Sequence, residues 1–284
     1  MSTSDQKGWR DPRPIVERII IKGNLILQTA AHFGSGDVEP FSHIDMLLLR
    51  DSLENKPLLP GASIAGALRN YLRERLEGYR AAEKADSVVT RLFGVSKGRT
   101  GGVQSALIVN DALSAGGTAR IELRDGVKID PQTRTAEEGA KFDLEVLAAG
   151  TVFPLHFELA LEADEQNELK RALALTLQGL QNGDIHLGAR KQRGYGRVNV
   201  TNWQVWAYNL QQRGDLLAWL AAERPDLTPQ PAPKKGADIV QLLLADTGEA
   251  GLEDKRHYFR IQGTFALNGS LLIRAGFGLD PNGP

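Results

Sequence analysis

The sequence predicts an α+β domain on the ferredoxin-like plan, a four-stranded antiparallel sheet with two helices on one face. Three observations lead there. Residues 19–27 and 153–161 alternate apolar and polar side chains, the mark of half-buried strands. Two other stretches repeat apolar residues at helical spacing: Ile64, Leu68, Leu72 and Leu76, then Leu169, Leu173, Leu177 and Leu180. Once an excursion over residues 119–150 is set aside, the elements run β, α, β, β, α, β.

Taken in order, residues 1–14 are a polar, proline-containing arm, expected to be loose. In the first strand Ile19, Ile21, Leu25 and Leu27 share one side, with Arg18, Lys22, Asn24 and Gln28 on the other. His32-Phe33-Gly34-Ser35-Gly36-Asp37 follows as a Gly/Ser loop, and an irregular stretch continues to residue 56. Pro60-Gly61-Ala62-Ser63 opens the first helix, with Ser63 as the expected N-cap and Gly78 as the stop. Arg69, Arg73 and Arg80 lie off its apolar face. After Arg91-Leu92-Phe93-Gly94 a strand is expected around 106–110. Residues 120–131 read as a strand, a turn and more extended chain, and 133–141 as polar and turn-rich. The second helix leads into a Gly/Arg loop at 188–197 and a last strand at 198–205.

This domain is expected to span residues 15–223. Between 224 and 236 four prolines fall in thirteen residues, the composition of a semi-rigid linker that is expected to reach residue 255. Beyond it, Ile261-Gln262-Gly263-Thr264-Phe265-Ala266-Leu267 echoes Ile21-Lys22-Gly23-Asn24-Leu25-Ile26-Leu27 at a constant offset of 240. An offset of one domain length points to tandem duplication, with residues 256–284 opening a second copy.

Composition narrows the function classes. The 34 Lys+Arg against 35 Asp+Glu give a net charge of −1, so a basic surface for nucleic acid has to be local. Cysteine is absent, which excludes disulfide scaffolds, thiol catalysis and Cys-ligated zinc or iron–sulfur centres, and agrees with a cytoplasmic protein. No apolar run approaches the roughly 18 residues of a membrane span, and the polar start has no signal-peptide core. Phosphate-loop, zincin and nucleophile-elbow motifs are missing, and the five histidines form no i, i+4 pair.

Three local signals remain. Gly188-Ala189-Arg190-Lys191-Gln192-Arg193-Gly194-Tyr195-Gly196-Arg197 holds four cations, three glycines and one tyrosine without an acid. Glycines let backbone N–H groups approach a phosphate, arginines fork onto its oxygens, and tyrosine offers a face for a base. A solvated, tight-turned surface loop has the same composition. The start of the first helix is a second anion site in principle, with Arg69 and Arg73 one turn apart. The third signal is Asp45, set between Ile44 and Met46-Leu47-Leu48-Leu49, with Asp37 and Asp51 as neighbours; a capped turn or a carboxylate beside a site both suit it.

Together these pieces resemble one family, the RAMP-superfamily backbone subunits of type III CRISPR effector complexes (Csm- and Cmr-like). His32-Phe33-Gly34-Ser35-Gly36 is similar to the family's His-Ile-Gly-Ser/Gly-Gly loop. Leu59-Pro60-Gly61-Ala62-Ser63-Ile64-Ala65-Gly66-Ala67-Leu68-Arg69 resembles its Pro-Gly-Ser-Ser helix start, and Arg91-Leu92-Phe93-Gly94 its Leu-Phe-Gly turn. Residues 124–143 resemble its thumb, and Gly188-x-Arg190 with Arg193-Gly194-Tyr195-Gly196-Arg197-Val198 its glycine-rich loop. The departures are Met46 and Leu47 after the aspartate and Ala62 for a hydroxyl residue.

The resemblance implies an RRM-like palm with inserted finger and thumb, polymerising along a CRISPR guide RNA. It assigns RNA contacts to His32, Ser63, Arg69, Arg73, Arg190, Lys191, Arg193, Tyr195 and Arg197. Backbone approach to phosphates falls to Gly34, Gly36, Gly61, Gly188, Gly194 and Gly196. Val127, Lys128, Ile129 and Arg134 belong to the thumb, which splays a nucleotide of the guide–target duplex. Asp45 is the implied catalytic residue for cutting target RNA, with a divalent metal, Mg²⁺ or Mn²⁺, held by Asp45 or near it. The implied partners are guide RNA, complementary target RNA, other RAMP subunits and the large and small subunits of the effector. A non-catalytic scaffold of the same family is the first rival. A guide-processing endoribonuclease is the second, although such enzymes use a histidine near the first helix, where residues 64–77 have none.

Overall fold

The computed structural model describes residues 13–34, 44–82, 84, 87–97, 101–222, 230–245, 253–257 and 259–270. The strands are β1 (Ile15–Leu27), β2 (Leu58–Leu59), β3 (Val95–Lys97), β4 (Gly101–Val103), β5 (Leu107–Val109), β6 (Ala112–Leu113), β7 (Ile121–Ile129), β8 (Ala136–Leu147), β9 (Val152–Glu162), β10 (Val198–Asn209) and β11 (Lys234–Gly236). The helices are α1 (Gly61–Glu77), α2 (Val88–Phe93), α3 (Gln166–Gln181), α4 (Arg213–Leu220) and α5 (Ile239–Leu244). The main sheet runs β11-β10-β1-β9-β5, with every neighbouring pair antiparallel. Without β11 this is the ferredoxin-like arrangement.

Period two explains the layering. The odd residues of β1, Ile19, Ile21, Leu25 and Leu27, enter the core with Phe153, Phe157 and Leu159 of β9 and the apolar stripes of α1 and α3. Gly23 belongs to the same row, and a Cβ there would lie 2.7 Å from the Trp203 ring. That tight spot coincides with a bulge, since Lys22 pairs with Gln204 but Asn24 with Thr201, and Asn202 takes a left-handed φ of 57°. Behind the sheet, α4 covers Ile20 and Tyr208, while Arg18 bonds Glu158 at 2.5 Å and stacks on Trp219. Among the described residues no helix is long and apolar enough to cross a membrane.

Four expectations are refined here. Pro60, not Ser63, occupies the N-cap of α1, and its side chain offers no cap. The Asp111 carboxylate does that work, accepting the Gly61 N–H at 2.7 Å from across the domain. The stretch read as linker contains β11 and α5. Lys234–Gly236 pairs with Trp203–Val205, Asp238 caps α5 by accepting the Val240 N–H at 2.9 Å, and Ile239 and Leu243 are buried. The apolar run 239–244 was the signal, masked by the prolines before it. The excursion is a single two-stranded hairpin, β7 with β8, so 136–141, read as turn-rich, is strand. Finally, residues 259–270 adopt neither helix nor strand and leave Phe259, Ile261, Phe265 and Leu267 70–95% exposed. Just before them, 254–256 dock on α1: the Lys255 N–H donates to the Arg75 carbonyl at 2.8 Å and the Arg256 guanidinium stacks over the Tyr71 ring, 4.7 Å from its centre.

Candidate nucleic-acid interface

A cleft of about 990 Å³ opens between α1 and the Gly/Arg loop, lined also by His32, Phe33, Gly34 and the segment 45–47. On the helix side stand Ala62, Ser63, Gly66 and Asn70, small residues a turn apart. A Cβ at Gly66 would have no neighbour within 4 Å, so the helix backbone is open to a ligand there. Ser63 faces the cleft from the first turn of α1.

The arginines expected beside it divide. Arg69 lines a separate depression with Phe93 and Gly94, on another side of α1, and Arg73 donates to the Asn70 side chain. Arg190 has a left-handed backbone (φ 58°) that starts the short 3₁₀ turn Lys191–Arg193. Lys191, Arg193 and Arg197 are exposed, and Lys191 lines the cleft. The Arg197 backbone is pinned to the end of β1: its N–H donates to Thr29 Oγ1 at 3.1 Å and its carbonyl accepts from Gln28 N–H at 2.8 Å. Tyr195, expected to stack on a base, carries Arg124 5.5 Å over its ring.

His32 is 3% exposed. Its Nδ1 lies 2.7 Å from the Glu145 carbonyl, which can only accept, so the neutral ring keeps its proton on Nδ1. The ring therefore ties its loop to β8, and only its edge reaches the cleft.

Several of the glycines are required by the protein's own packing. An added Cβ would meet the Val109 carbonyl at 2.2 Å from Gly61, the His32 carbonyl at 2.5 Å from Gly188, and the Leu187 carbonyl at 1.8 Å from Gly196. At Gly34 it would meet His32 Nε2 at 2.7 Å. Gly194 differs, with φ +81° and nothing within 4 Å of an added Cβ, which leaves room for close approach, while its N–H donates to the Lys191 carbonyl at 3.1 Å and its carbonyl accepts from Thr29 Oγ1 at 2.8 Å. Gly36 and Asp37 lie outside the described residues.

Asp45 is exposed at the cleft, and its Oδ2 accepts the Asp143 N–H of β8 at 2.8 Å. Next to it the Met46 N–H donates to the Asp143 carbonyl at 3.1 Å and the Glu145 N–H to the Met46 carbonyl at 3.0 Å, a short parallel bridge. Of the thumb residues, Val127 and Ile129 are half exposed, Lys128 pairs with Glu137 at 2.6 Å, and Arg134 turns the tip with φ 57°.

Charge is unevenly spread along the cleft. Lys191 and His186 stand in its lining, and burial together with Arg197 and Lys191 pushes the His186 pKa below its ordinary value. Glu74 and Asp184 make a second, acidic part, with the Tyr71 hydroxyl donating to Asp184 at 3.2 Å. A phosphate is favoured on the Ser63–Lys191 side. Among the described residues no three ligand side chains gather as a metal cage. Asp45 as the single carboxylate beside the Ser63–Lys191 side would suit Mg²⁺ only where phosphate oxygens complete the shell.

The strand order, the inserted hairpin and the Gly/Arg loop beside α1 define a RAMP-type domain. Comparison with protein families agrees, since the RAMP superfamily model matches residues 24–199, and the chain belongs to that superfamily. Its relatives include three proteins named CRISPR system Cms endoribonuclease Csm3. That of Streptococcus thermophilus is 25% identical, covering 64% of this chain and 86% of the relative. That of Enterococcus italicus is 27% identical over 64% and 88%, and that of Mycobacterium tuberculosis 26% over 72% and 96%.

Proposed function

We propose that this chain is a guide-RNA-binding backbone subunit of a type III CRISPR effector, and that it cuts complementary target RNA with Asp45. The reading is supported by the superfamily match and by one convergence: three segments of the first part of the chain (32–34, 45–47 and the start of α1) and the Gly/Arg loop more than a hundred residues on line a single cleft. In this reading the guide lies along Lys191, Arg193 and Arg197 with the room left at Gly194 and Gly66, held by phosphate and shape and indifferent to base sequence. The hairpin, with Val127 and Ile129 at its exposed end, splays one nucleotide and frees the neighbouring sugar from A-form geometry. Asp45 would be the residue to take up the 2′-OH proton, or to hold a Mg²⁺ or Mn²⁺ ion together with RNA phosphates; such an ion would supply charge neutralisation at the cut phosphate. The partners are guide and target RNA, further RAMP subunits, and the large and small subunits of the effector.

The test is cleavage by the assembled complex with Asp45→Ala. Target binding unchanged with cutting lost at the sites served by this subunit supports the reading, and Asp37→Ala should still cut. Wild-type cutting by Asp45→Ala defeats it. One observation favours the scaffold alternative: half of the Asp45 carboxylate already has a structural use on the Asp143 N–H.

We also propose that residues 256–284 open a second repeat. Gly263 holds the place that Gly23 holds in β1, the central strand of its sheet. A strand of that kind needs a neighbour on both sides, and the exposed apolar side chains of 259–267 suit one still without them.

A further inference from the structure

Resting on the reading of Asp45 and the Gly/Arg loop above, we propose that Phe142 and Arg124 are positioning residues that latch the thumb hairpin to the Gly/Arg loop and so set where Asp45 stands relative to the guide. Neither is expected to touch RNA. The first half of the coupling is the lacing of Asp45 to the hairpin. Asp45 Oδ2 and Met46 hold the backbone of β8 at Asp143 and Glu145, and the Leu48 N–H donates to Glu145 Oε2 at 3.1 Å. Segment 45–48 therefore moves with β8.

The second half is on one face of the same hairpin. Gly126 pairs with Phe142 and Arg124 with Leu144, neighbouring rows two residues apart, so their side chains share a face. Phe142 lies across Gly126, where a Cβ would meet its ring at 2.1 Å; only glycine admits that ring position. Arg190 of the Gly/Arg loop stacks on the ring, 4.5 Å from its centre, and reaches Met46 Sδ at 3.8 Å. One row along, Arg124 Nη1 donates to Tyr195 Oη at 3.1 Å while stacked on its ring, and its Nη2 donates to Glu122 at 3.0 Å. Two cation–aromatic pairs of opposite sense thus join the hairpin to the loop, the cation coming once from each side.

Past these pairs the hairpin leaves the domain: residues 127–139 are all exposed except Asp130. Its angle is set at its base, by the lacing on one side and the latch on the other. A loop clamped on guide phosphates would through Arg190 and Tyr195 hold Phe142 and Arg124, and through β8 hold Asp45. An error of about 1 Å at a reacting group can cost on the order of a hundredfold in rate.

The experiment compares Phe142→Ala, Arg124→Ala and the conservative Phe142→Tyr in the assembled complex, with a second readout on the protein alone. Expected are guide affinity within about twofold of wild type, target cutting slowed at least about tenfold at saturating guide, and cuts spread to neighbouring nucleotides. Phe142→Tyr keeps the ring and should cut as wild type. In the full chain without RNA, amide exchange of β7, β8 and residues 46–48 should quicken in the two alanine variants and not in α3. Wild-type exchange in the hairpin overturns the latch whether or not the complex cuts RNA. Normal rate and cut position in both alanine variants overturns the coupling to Asp45. Loss of guide affinity in step with cutting assigns these residues to RNA contact instead. If Phe142→Ala fails to fold, Phe142→Leu, which keeps the bulk without the π face, takes its place in every comparison. If the wild-type complex itself does not cut, the reading of Asp45 falls while the exchange result still decides the latch.

Discussion

The β1–β9 ladder and the β7–β8 hairpin are both long antiparallel pairs with an apolar row along one strand, unbroken at every second position of β9 and interrupted only by Asp125 in β7. In the first, Ile19, Ile21, Leu25, Phe153 and Phe157 are sealed beneath α1 and α3. In the second, Leu123, Val127 and Ile129 fall on one side of β7 and remain 45–51% exposed. The same alternation therefore serves two ends. It says that a strand has an apolar side; what covers that side depends on which other elements the chain brings to it. The core ladder is covered by helices and carries stability, while the hairpin holds its apolar row out from the domain.

The largest expected contrast is in stability. Phe157→Ala empties a fully buried site and should cost about 3–5 kcal/mol in urea unfolding, whereas Ile129→Ser at the hairpin end should cost less than about 0.5 kcal/mol. Comparable losses would mean that the hairpin row is part of a core. Asp45→Ala should reverse the ranking: little change in unfolding, and target cutting slowed by roughly a hundredfold or more. Next comes the loop that faces the hairpin. Replacing Arg193 and Arg197 together by Ala should flatten the slope of log affinity for guide RNA against log salt by about two units, and an unchanged slope would leave the loop merely exposed.

Amide exchange sharpens the comparison with a third strand-like segment. Residues 153–161 should exchange slowly and 259–267 fast in this chain; equal protection would place the latter in a completed sheet. The smallest effect concerns pH. The fold lowers the pKa of His186, so the unfolded chain takes the proton first as pH falls below 6.5, and stability declines from there downward. His186→Gln should flatten that decline below pH 6.5. The docked C-terminal segment responds lower still: Asp254, held by Arg256 at about 2 against an ordinary 3.8, keeps its contribution above pH 4 and loses it toward pH 2.

By itself the sequence determined the kinds of elements and their order, because periodicity is a local property: the leucines of α3 and the alternation of β9 stand where their spacing requires. The Gly/Arg loop, the hairpin and Asp45 were legible too, as runs of unusual composition or through family resemblance. Only the tertiary structure decided which of these meet. Asp111 caps α1 from fifty residues away, Arg190 finds Phe142, Arg69 turns from the cleft while Ser63 faces it, and Gly61, Gly188 and Gly196 make room for carbonyls of their own chain. The run 239–244 became a core helix because the β10 edge left a place for β11 and α5. Such pairings join positions with no periodic relation in the sequence. They follow from which faces are left open once the sheet has closed, and that is settled by packing rather than by any local run of residues.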